Sequence, residues 1–287
     1  MAINTFVSQD SLALAERFRR GKSSTLGFLQ ARLRQQLPRK AARTQPIAAP
    51  AQPVAKVLLL QGCVQRVATP EANAALTKLL AKYDIEVTTV AAESCCGSLS
   101  LHLGEEDQAL RQVKANLQVM GPLLQDHDAV ISTASGCGVT LKDYQRLLDD
   151  DDEMAAVAYQ FVRKVKDVSE YLADLGIAFD KLEGVRRVAV HIPCTLQHGQ
   201  GLGPAVAQLL NRAGYELVEV PDAHLCCGSA GTYSLLQPDL SEEIRQRKLE
   251  NLQLHAPDVI VSANVGCQMH LGAAAGVPVR HWLELLQ

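Results

Sequence analysis

Several features that would assign a chain of 287 residues to a common class of protein are missing here. There is neither a G-x-G-x-x-G motif after a predicted strand nor a Walker lysine, so the sequence indicates no nucleotide site. No apolar run reaches the roughly 20 residues that a transmembrane helix needs. No secretory signal opens the chain, and aromatic residues make up only 4% of it. These absences predict a cytoplasmic protein in a reducing compartment.

A strong charge of either sign is also missing, since the formal net charge is −3. The charge is unevenly spread, because the residues up to Lys56 include ten Lys and Arg against Asp10 and Glu16. We predict that residues 1–55 form a basic helical arm ending in a Pro- and Ala-rich linker. A docking arm, a solvated linker and a mitochondrial transit peptide all fit this composition. A local basic segment does not indicate a nucleic-acid partner, and we expect none.

The eight cysteines fall into two matched sets. In each set a lone cysteine precedes a Cys-Cys-Gly trio by 32 residues, and a fourth cysteine follows the second cysteine of the trio by 40 or 41 residues. This spacing predicts a duplicated domain that presents four thiols twice. The sets are Cys63, Cys95, Cys96 and Cys137, then Cys194, Cys226, Cys227 and Cys267.

The positions of the cysteines argue against two possible roles of the thiols. Free cysteines that serve only as buried apolar residues would be scattered along the sequence, and adjacent cysteines rarely form a disulfide with each other. A metal ion or cluster remains, and four thiolates suit either zinc or iron-sulfur. Structural zinc sites commonly use close pairs of cysteines. Here each set comes from three distant segments, which favours a larger inorganic cluster but leaves zinc open.

Short apolar runs alternate with helical patterns in both repeats. In the first repeat the runs Val57 to Leu60, Ile85 to Val90 and Ala129 to Ile131 each precede a cysteine, and the second repeat copies this order. We therefore predict an α/β fold of two tandem Rossmann-like domains, with parallel sheets flanked by helices. The cysteines would then follow the carboxyl ends of strands, where such sheets place their ligands.

Four glycines adjoin the cysteines and are predicted to shape their loops. Gly97 and Gly228 follow the paired cysteines, where a positive φ or a close approach would exclude a side chain. Gly136 and Gly266 directly precede the last cysteine of each set.

The predicted domain boundaries follow from the repeats. After the arm, we expect the first cysteine-rich domain, a single long connecting helix whose apolar residues run from Met154 to Leu175, and the second cysteine-rich domain. The predicted ranges are 56–150, 151–184 and 185–287.

Five segments around the cysteines carry a family likeness: Pro193 to His198, Asp222 to Tyr233, Thr133 to Gly138, Ala263 to Gln268 and Val279 to Trp282. In these segments the sequence resembles the CCG cysteine-rich domain of heterodisulfide reductase subunits, and more closely the iron-sulfur subunits of bacterial glycolate oxidases. The likeness extends from about Val57 to the C-terminus.

The resemblance implies an oxidoreductase subunit that transfers electrons and is not catalytic alone. FAD-containing partner subunits would oxidise glycolate to glyoxylate, and clusters in this chain would pass the electrons toward quinone. The eight cysteines would hold up to two iron-sulfur clusters, of the [4Fe-4S] type. The location implied is cytoplasmic, or peripheral on the inner face of the cytoplasmic membrane. A lactate-utilisation subunit, a heterodisulfide-reductase-like thiol/disulfide subunit and a structural zinc protein are the alternatives.

The sequence departs from this family in two respects. No cysteine precedes Cys63, whereas the family's subunit usually begins with a ferredoxin-like region, so we expect a truncated or split form, or a separate ferredoxin-like polypeptide. Thr140 and His270 stand where heterodisulfide reductases have a further cysteine, which favours an ordinary four-thiolate cluster.

Several residues near the cysteines are candidates for tuning a cluster. His270 could replace the missing thiolate as a ligand or be a structural histidine. His198 and His224 flank cluster cysteines and could donate hydrogen bonds to sulfur, and His102 is a further candidate of this kind.

Overall fold

The computed structural model describes residues 49–286, so most of the predicted basic arm lies outside the described residues. The described part contains eight strands: β1 (Ala55–Leu60), β2 (Ile85–Thr89), β3 (Ala129–Ser132), β4 (Val165–Asp167), β5 (Arg187–His191), β6 (Glu216–Leu217), β7 (Val259–Ser262) and β8 (Val279–His281).

Helices connect these strands, and two 3-10 helices cover Gly121–Asp126 and Trp282–Leu285. The α-helices of the first half are α1 (Gln65–Ala68), α2 (Glu71–Ala81), α3 (Ser98–His102), α4 (Glu106–Met120), α5 (Ser135–Lys142), α6 (Tyr144–Leu147), α7 (Ala155–Val162) and α8 (Val168–Leu175). Those of the second half are α9 (Cys194–Gln197), α10 (Ala205–Arg212), α11 (Tyr233–Leu236), α12 (Pro238–Gln253) and α13 (Val265–Gly272).

The strands form two four-stranded sheets with the same topology. Their orders are β2-β1-β3-β4 and β6-β5-β7-β8, and every neighbouring pair is parallel. The crossover helices cover both faces of each sheet, which explains why β3 and β7 are buried along their whole length. The predicted α/β fold with duplicated parallel sheets is confirmed. Among residues 49–286 no helix is both long and apolar enough to cross a membrane.

One apolar core is shared between the repeats. It includes Leu59 and Leu172 from the first half with Leu209 and Trp282 from the second. Each half also has a cluster of its own on the other face of its sheet. Because burial of apolar surface is the main stabilising term in folding, the shared core ties the two repeats together.

The single connecting helix predicted for residues 154–175 is wrong. The segment forms α7, then β4, then α8, and β4 pairs with β3 as the fourth strand of the first sheet. The helix is interrupted because Asp167 ends the strand and caps α8, accepting a hydrogen bond from Ser169 N at 2.9 Å. Glu170 completes a capping box.

Strand β6 covers only Glu216–Leu217. An acidic run, residues 149–153, precedes α7. The domain boundaries as such stay a prediction.

The carboxyl edges of the two sheets face each other. Ser135 N donates to Ala263 O at 2.9 Å, and the hydroxyl of Ser135 lies 2.8 Å from that of Thr195. A Cβ added to Gly231 would lie 3.9 Å from Leu99 of the other half. Since all these residues lie within four positions of a cysteine in the sequence, the two thiol groups lie on either side of one interface between the repeats.

Candidate metal centres

The first cysteine group assembles from three loops at the carboxyl edge of the first sheet. Cys63 follows β1, Cys95 and Cys96 follow β2, and Cys137 lies in the first turn of α5. Cys63 Sγ donates to Cys95 Sγ at 3.4 Å. The Cys96 thiol interacts with Cys137 and Cys95. Residues as far apart as 74 positions in the sequence are thus brought into one group.

Because these thiols pack closely together, their pKa values shift in opposite directions. The hydrogen bond to Cys95 and burial raise the pKa of Cys63 well above its usual value. The hydrogen bonds to Cys137 and Cys95, with burial, likewise raise the pKa of Cys96. The hydrogen bonds received from Cys63 and Cys96 lower the pKa of Cys95 to about 3. Protonation of Cys63, Cys95 and Cys96 is therefore linked, and binding of a cation would release the protons that remain on them.

Polar side chains hold the loop that carries Cys95 and Cys96. Asn116 Nδ2 donates to the carbonyl of Cys95 at 2.9 Å, and the hydroxyl of Tyr144 donates to that of Cys96 at 3.0 Å. Gly97 has a φ of +93°, the left-handed conformation expected for it. The buried Tyr144 ring stacks on Phe161, with centroids 5.4 Å apart, so a rigid core fixes the loop.

The second cysteine group repeats this arrangement. Cys194 begins α9, Cys226 and Cys227 lie in the loop after β6, and Cys267 lies in the first turn of α13. Cys227 and Cys267 are buried, whereas Cys194 and Cys226 are half-buried.

Hydrogen bonds to sulfur are more numerous in the second group. Those from Cys194 and Cys227 lower the pKa of Cys226 to about 2, and Gly228 N also donates to its sulfur at 3.3 Å. The hydrogen bond from Cys227 lowers the pKa of Cys267, and the nearby His191 ring acts in the same direction. Asn264 Nδ2 lies 3.5 Å from Cys267 Sγ. Main-chain and side-chain donors are therefore already aimed at thiolates.

Gly228 allows the second loop to pack tightly on α12. Its φ is +90°, and an added Cβ would lie 2.5 Å from Ser241 O and 3.2 Å from His270 Nε2. The hydroxyl of Ser241 donates to the carbonyl of Gly228 at 2.8 Å. Only glycine fits both the conformation and the space.

The remaining predicted site residues surround the groups without joining them. His270 is buried with Nε2 3.1 Å from Ser241 Oγ, which supports a structural role beside Gly228. The hydroxyl of Thr140 is 3.5 Å from Gly136 O within α5. Within residues 49–286 no side-chain hydrogen bond links His102, His198 or His224 to a cysteine, and all three are exposed. Their tuning roles stay predictions.

Gly136 and Gly266 lie in the first turns of α5 and α13. An added Cβ would lie 3.2 Å from Asn264 Oδ1 at Gly136, and 3.0 Å from Ser229 Oγ at Gly266. They permit close approach between neighbouring segments.

Sequence reasoning missed two residues of the second group. A ring nitrogen of His191 lies within 4.8 Å of both Cys227 Sγ and Cys267 Sγ. The Lys248 side chain is buried and donates to the carbonyls of Asp222 and Ala223 just before the paired cysteines. Both are polar residues at positions where the helix and strand patterns of the sequence predict burial. This mismatch could have identified them from the sequence.

The donor set fits an iron-sulfur cluster. Each group offers four sulfur atoms from well-separated loops, with backbone or amide donors at the second group, and thiolates are the usual ligands of such clusters. In the described residues the ligand atoms of His191, Cys227 and Cys267 lie within 4.8 Å of one another, and this set contains no carboxylate, as expected for a soft metal site.

The sequence matches the CCG cysteine-rich domain twice, at residues 57–142 and 188–272. These two matches cover more than half of the chain and include most of the first three strands of each sheet, but not the fourth strand. The chain belongs to the CCG cysteine-rich domain family.

Relatives of this CCG protein include two curated proteins of different length. It is 37% identical over 261 residues to the glycolate oxidase iron-sulfur subunit of Escherichia coli K12, covering 91% of this chain and 64% of that protein. It is 28% identical over 240 residues to lactate utilization protein A of Geobacillus kaustophilus, covering 80% of this chain and 98% of that protein. The chain thus spans less than two thirds of the first relative.

Among solved structures, the fold is similar to a hypothetical protein from Helicobacter pylori. The TM-score is 0.54 with 10% sequence identity, over 94% of this chain and 55% of the other. At this identity the likeness concerns the fold alone.

Proposed function

We propose that this CCG protein is the iron-sulfur electron-transfer subunit of a glycolate oxidase complex. The observation that carries the proposal is the pair of four-thiol groups facing each other across the repeat interface. The ligands would be Cys63, Cys95, Cys96 and Cys137 for the first cluster, and Cys194, Cys226, Cys227 and Cys267 for the second. Bound [4Fe-4S] clusters would supply one-electron carriers that the polypeptide itself lacks.

The relative from E. coli supports glycolate as the substrate of the complex. Partner subunits containing FAD would oxidise glycolate, a separate ferredoxin-like polypeptide would carry further clusters, and quinone would accept the electrons. With quinone as the acceptor, the complex would lie at the inner face of the cytoplasmic membrane, as a peripheral assembly.

A lactate-utilisation subunit is the second candidate. It is favoured by one observation, that the match spans 98% of lactate utilization protein A. The identity is lower, at 28% against 37%. Copurification with flavin subunits, followed by assay with glycolate and with L-lactate, separates the two candidates.

Metal analysis tests the cofactor directly. Anaerobically purified protein is expected to contain about eight iron atoms and as many acid-labile sulfides per chain if both pockets hold four-iron clusters. Dithionite should bleach its brown colour. Zinc in place of iron, with no labile sulfide, would refute electron transfer by this chain.

A further inference from the structure

His191 is a buried imidazole without a partner beside the second cysteine group. It is 1% exposed, and within residues 49–286 neither ring nitrogen has a hydrogen-bond partner. A ring nitrogen lies within 4.8 Å of the sulfur atoms of Cys227 and Cys267. Its neighbour across the sheet, Ser262, also has a buried hydroxyl without a partner. Buried polar groups are rarely left unsatisfied unless they serve a function.

The first repeat has no such group. Leu60 pairs with Ser132 at the end of β1 as His191 pairs with Ser262 at the end of β5, so the two positions are equivalent. Leu60 precedes Cys63 by three residues, as His191 precedes Cys194. A leucine side chain offers no hydrogen bond to a thiolate. The two pockets therefore differ at this position.

A second difference lies on the helix behind each pair of cysteines. In the first repeat the neutral amide of Asn116 donates to the carbonyl of Cys95. In the second repeat Lys248 occupies the corresponding place on α12, with Nζ 2.8 Å from Ala223 O. The second loop is thus held by an ammonium group where the first is held by an amide.

We propose that His191 donates a hydrogen bond to a cysteine thiolate of the second cluster, and that His191 and Lys248 together make this cluster the higher-potential member of the pair. This proposal rests on the proposed function, since it requires a cluster in each pocket. Hydrogen bonds to sulfur and nearby positive charge stabilise the more negative, reduced state of a cluster. An electron on the first cluster would pass to the second, leaving the first oxidised and the second reduced.

Donation to sulfur fits better than ligation of iron by His191. Each pocket already has four cysteines, which is the full ligand set of a four-iron cluster. A ring nitrogen lies within 4.8 Å of the sulfur atoms of Cys227 and Cys267, and the ring lowers the pKa of Cys267 and of Cys226. The imidazole is thus an additional group that faces a complete set of ligands.

The test is an anaerobic redox titration of the full chain followed by EPR. Iron and labile sulfide are measured first. Their absence from the wild-type protein would refute the proposed function and this inference with it, whereas an iron-loaded protein whose potentials do not respond to the variants would refute this inference alone. The variant Cys227→Ser identifies which EPR signal belongs to the second cluster. We expect that signal to have the higher midpoint potential of the two.

The variant His191→Leu introduces the residue that the first repeat has. We expect it to lower the potential of the second cluster and leave that of the first unchanged, with each tenfold change in the reduction equilibrium equal to about 59 mV. The matched control is His255→Leu, which makes the same change at an exposed site and should shift neither potential. Lys248→Asn should also lower the second potential.

Two further measurements separate donation from ligation. His191→Gln keeps an N–H donor, so we expect it to retain the cluster with a potential closer to wild type than that of His191→Leu. Pulsed EPR should show only weak nitrogen coupling at the second cluster. Strong coupling from a directly bound nitrogen, or equal potentials in wild type and a fully iron-loaded His191→Leu protein, would overturn the proposal. If His191→Leu loses iron, loss of the same iron in His191→Gln overturns it too.

Discussion

The imidazole of His281 donates a hydrogen bond from Nε2 to the main-chain carbonyl of Thr133, at 2.8 Å and across 148 residues of sequence. Its other nitrogen, Nδ1, accepts from Leu283 N at 3.2 Å. The neutral ring thereby joins the last strand of the second repeat to the loop after β3, which leads to Cys137. Burial outweighs the bond to Thr133 and lowers the pKa of His281 to about 4.

We expect this histidine to make the stability of the fold depend on pH. Its folded-state pKa lies below the unfolded value of about 6.5, so the unfolded chain binds more protons between these values. The contribution is fully present above pH 6.5 and is lost as the pH falls toward 4. Over that window it amounts to about 3 kcal/mol. Urea unfolding at several pH values, followed by fluorescence of Trp282, measures it.

The matching variant is His281→Gln, which does not titrate in this range. Its free energy of unfolding should vary less between pH 7 and pH 5 than that of the wild type. Other groups contribute equally in both proteins, including Glu93, whose pKa burial raises to about 7. Parallel pH profiles for the two proteins would contradict the assignment.

Gly228 and Gly97 offer a matched pair for testing the loops. Both have a φ near +90°, but a Cβ at Gly228 would lie 2.5 Å from Ser241 O, against 3.4 Å from Ala109 O at Gly97. Both alanine variants carry backbone strain of about 1–2 kcal/mol. Only Gly228→Ala adds a collision with main chain.

We therefore expect Gly228→Ala to lose the iron that the second cysteine group would bind. Gly97→Ala should retain most of its iron and show only a reduced melting temperature. Iron analysis and thermal unfolding of both variants check this. Greater loss of iron in Gly97→Ala than in Gly228→Ala would show that local space does not control these loops.

The sequence is informative where a pattern has a single physical reading. An apolar run such as Val57 to Leu60, followed by a cysteine and repeated at a fixed offset, predicts a buried parallel strand with a ligand at its end. The spacing of the eight cysteines is therefore sufficient to assign them to two groups at the edges of two sheets.

The wrong prediction of a connecting helix and the failure to identify His191 came from sequence patterns that fit more than one structure. Val165 and Val168 fit the apolar face of a helix, but Val165 lies in a three-residue strand, where pairing with Val130 decides the conformation. His191 is a polar residue at the buried end of a strand, and comparison with Leu60 in the other repeat identifies it as unusual. Tertiary context, which a local pattern does not contain, decided these cases.

The capping residue that ends β4 has a measurable role. Asp167 is fully buried and its Oδ1 accepts from both the amide and the hydroxyl of Ser169, at 2.9 and 2.6 Å. Asp167→Ala removes this cap and should destabilise the protein by about 1–2 kcal/mol. Asp167→Asn keeps the acceptor oxygen and should lose less. Urea denaturation compares them, and equal losses would show that the cap does not stabilise α8.

The Cys227→Ser variant connects the second group to the proposed electron transfer. A serine hydroxyl is a poor ligand for a soft iron-sulfur centre, so the second cluster should be lost while the first EPR signal remains. In the assembled complex, glycolate-dependent reduction of quinone should fall to background. Reduction of an artificial dye by the flavin subunit should persist, because that step precedes the clusters. Full quinone reduction by a variant that lacks the second cluster would show that electrons bypass this pocket, since a carrier in series cannot be removed without stopping the flow.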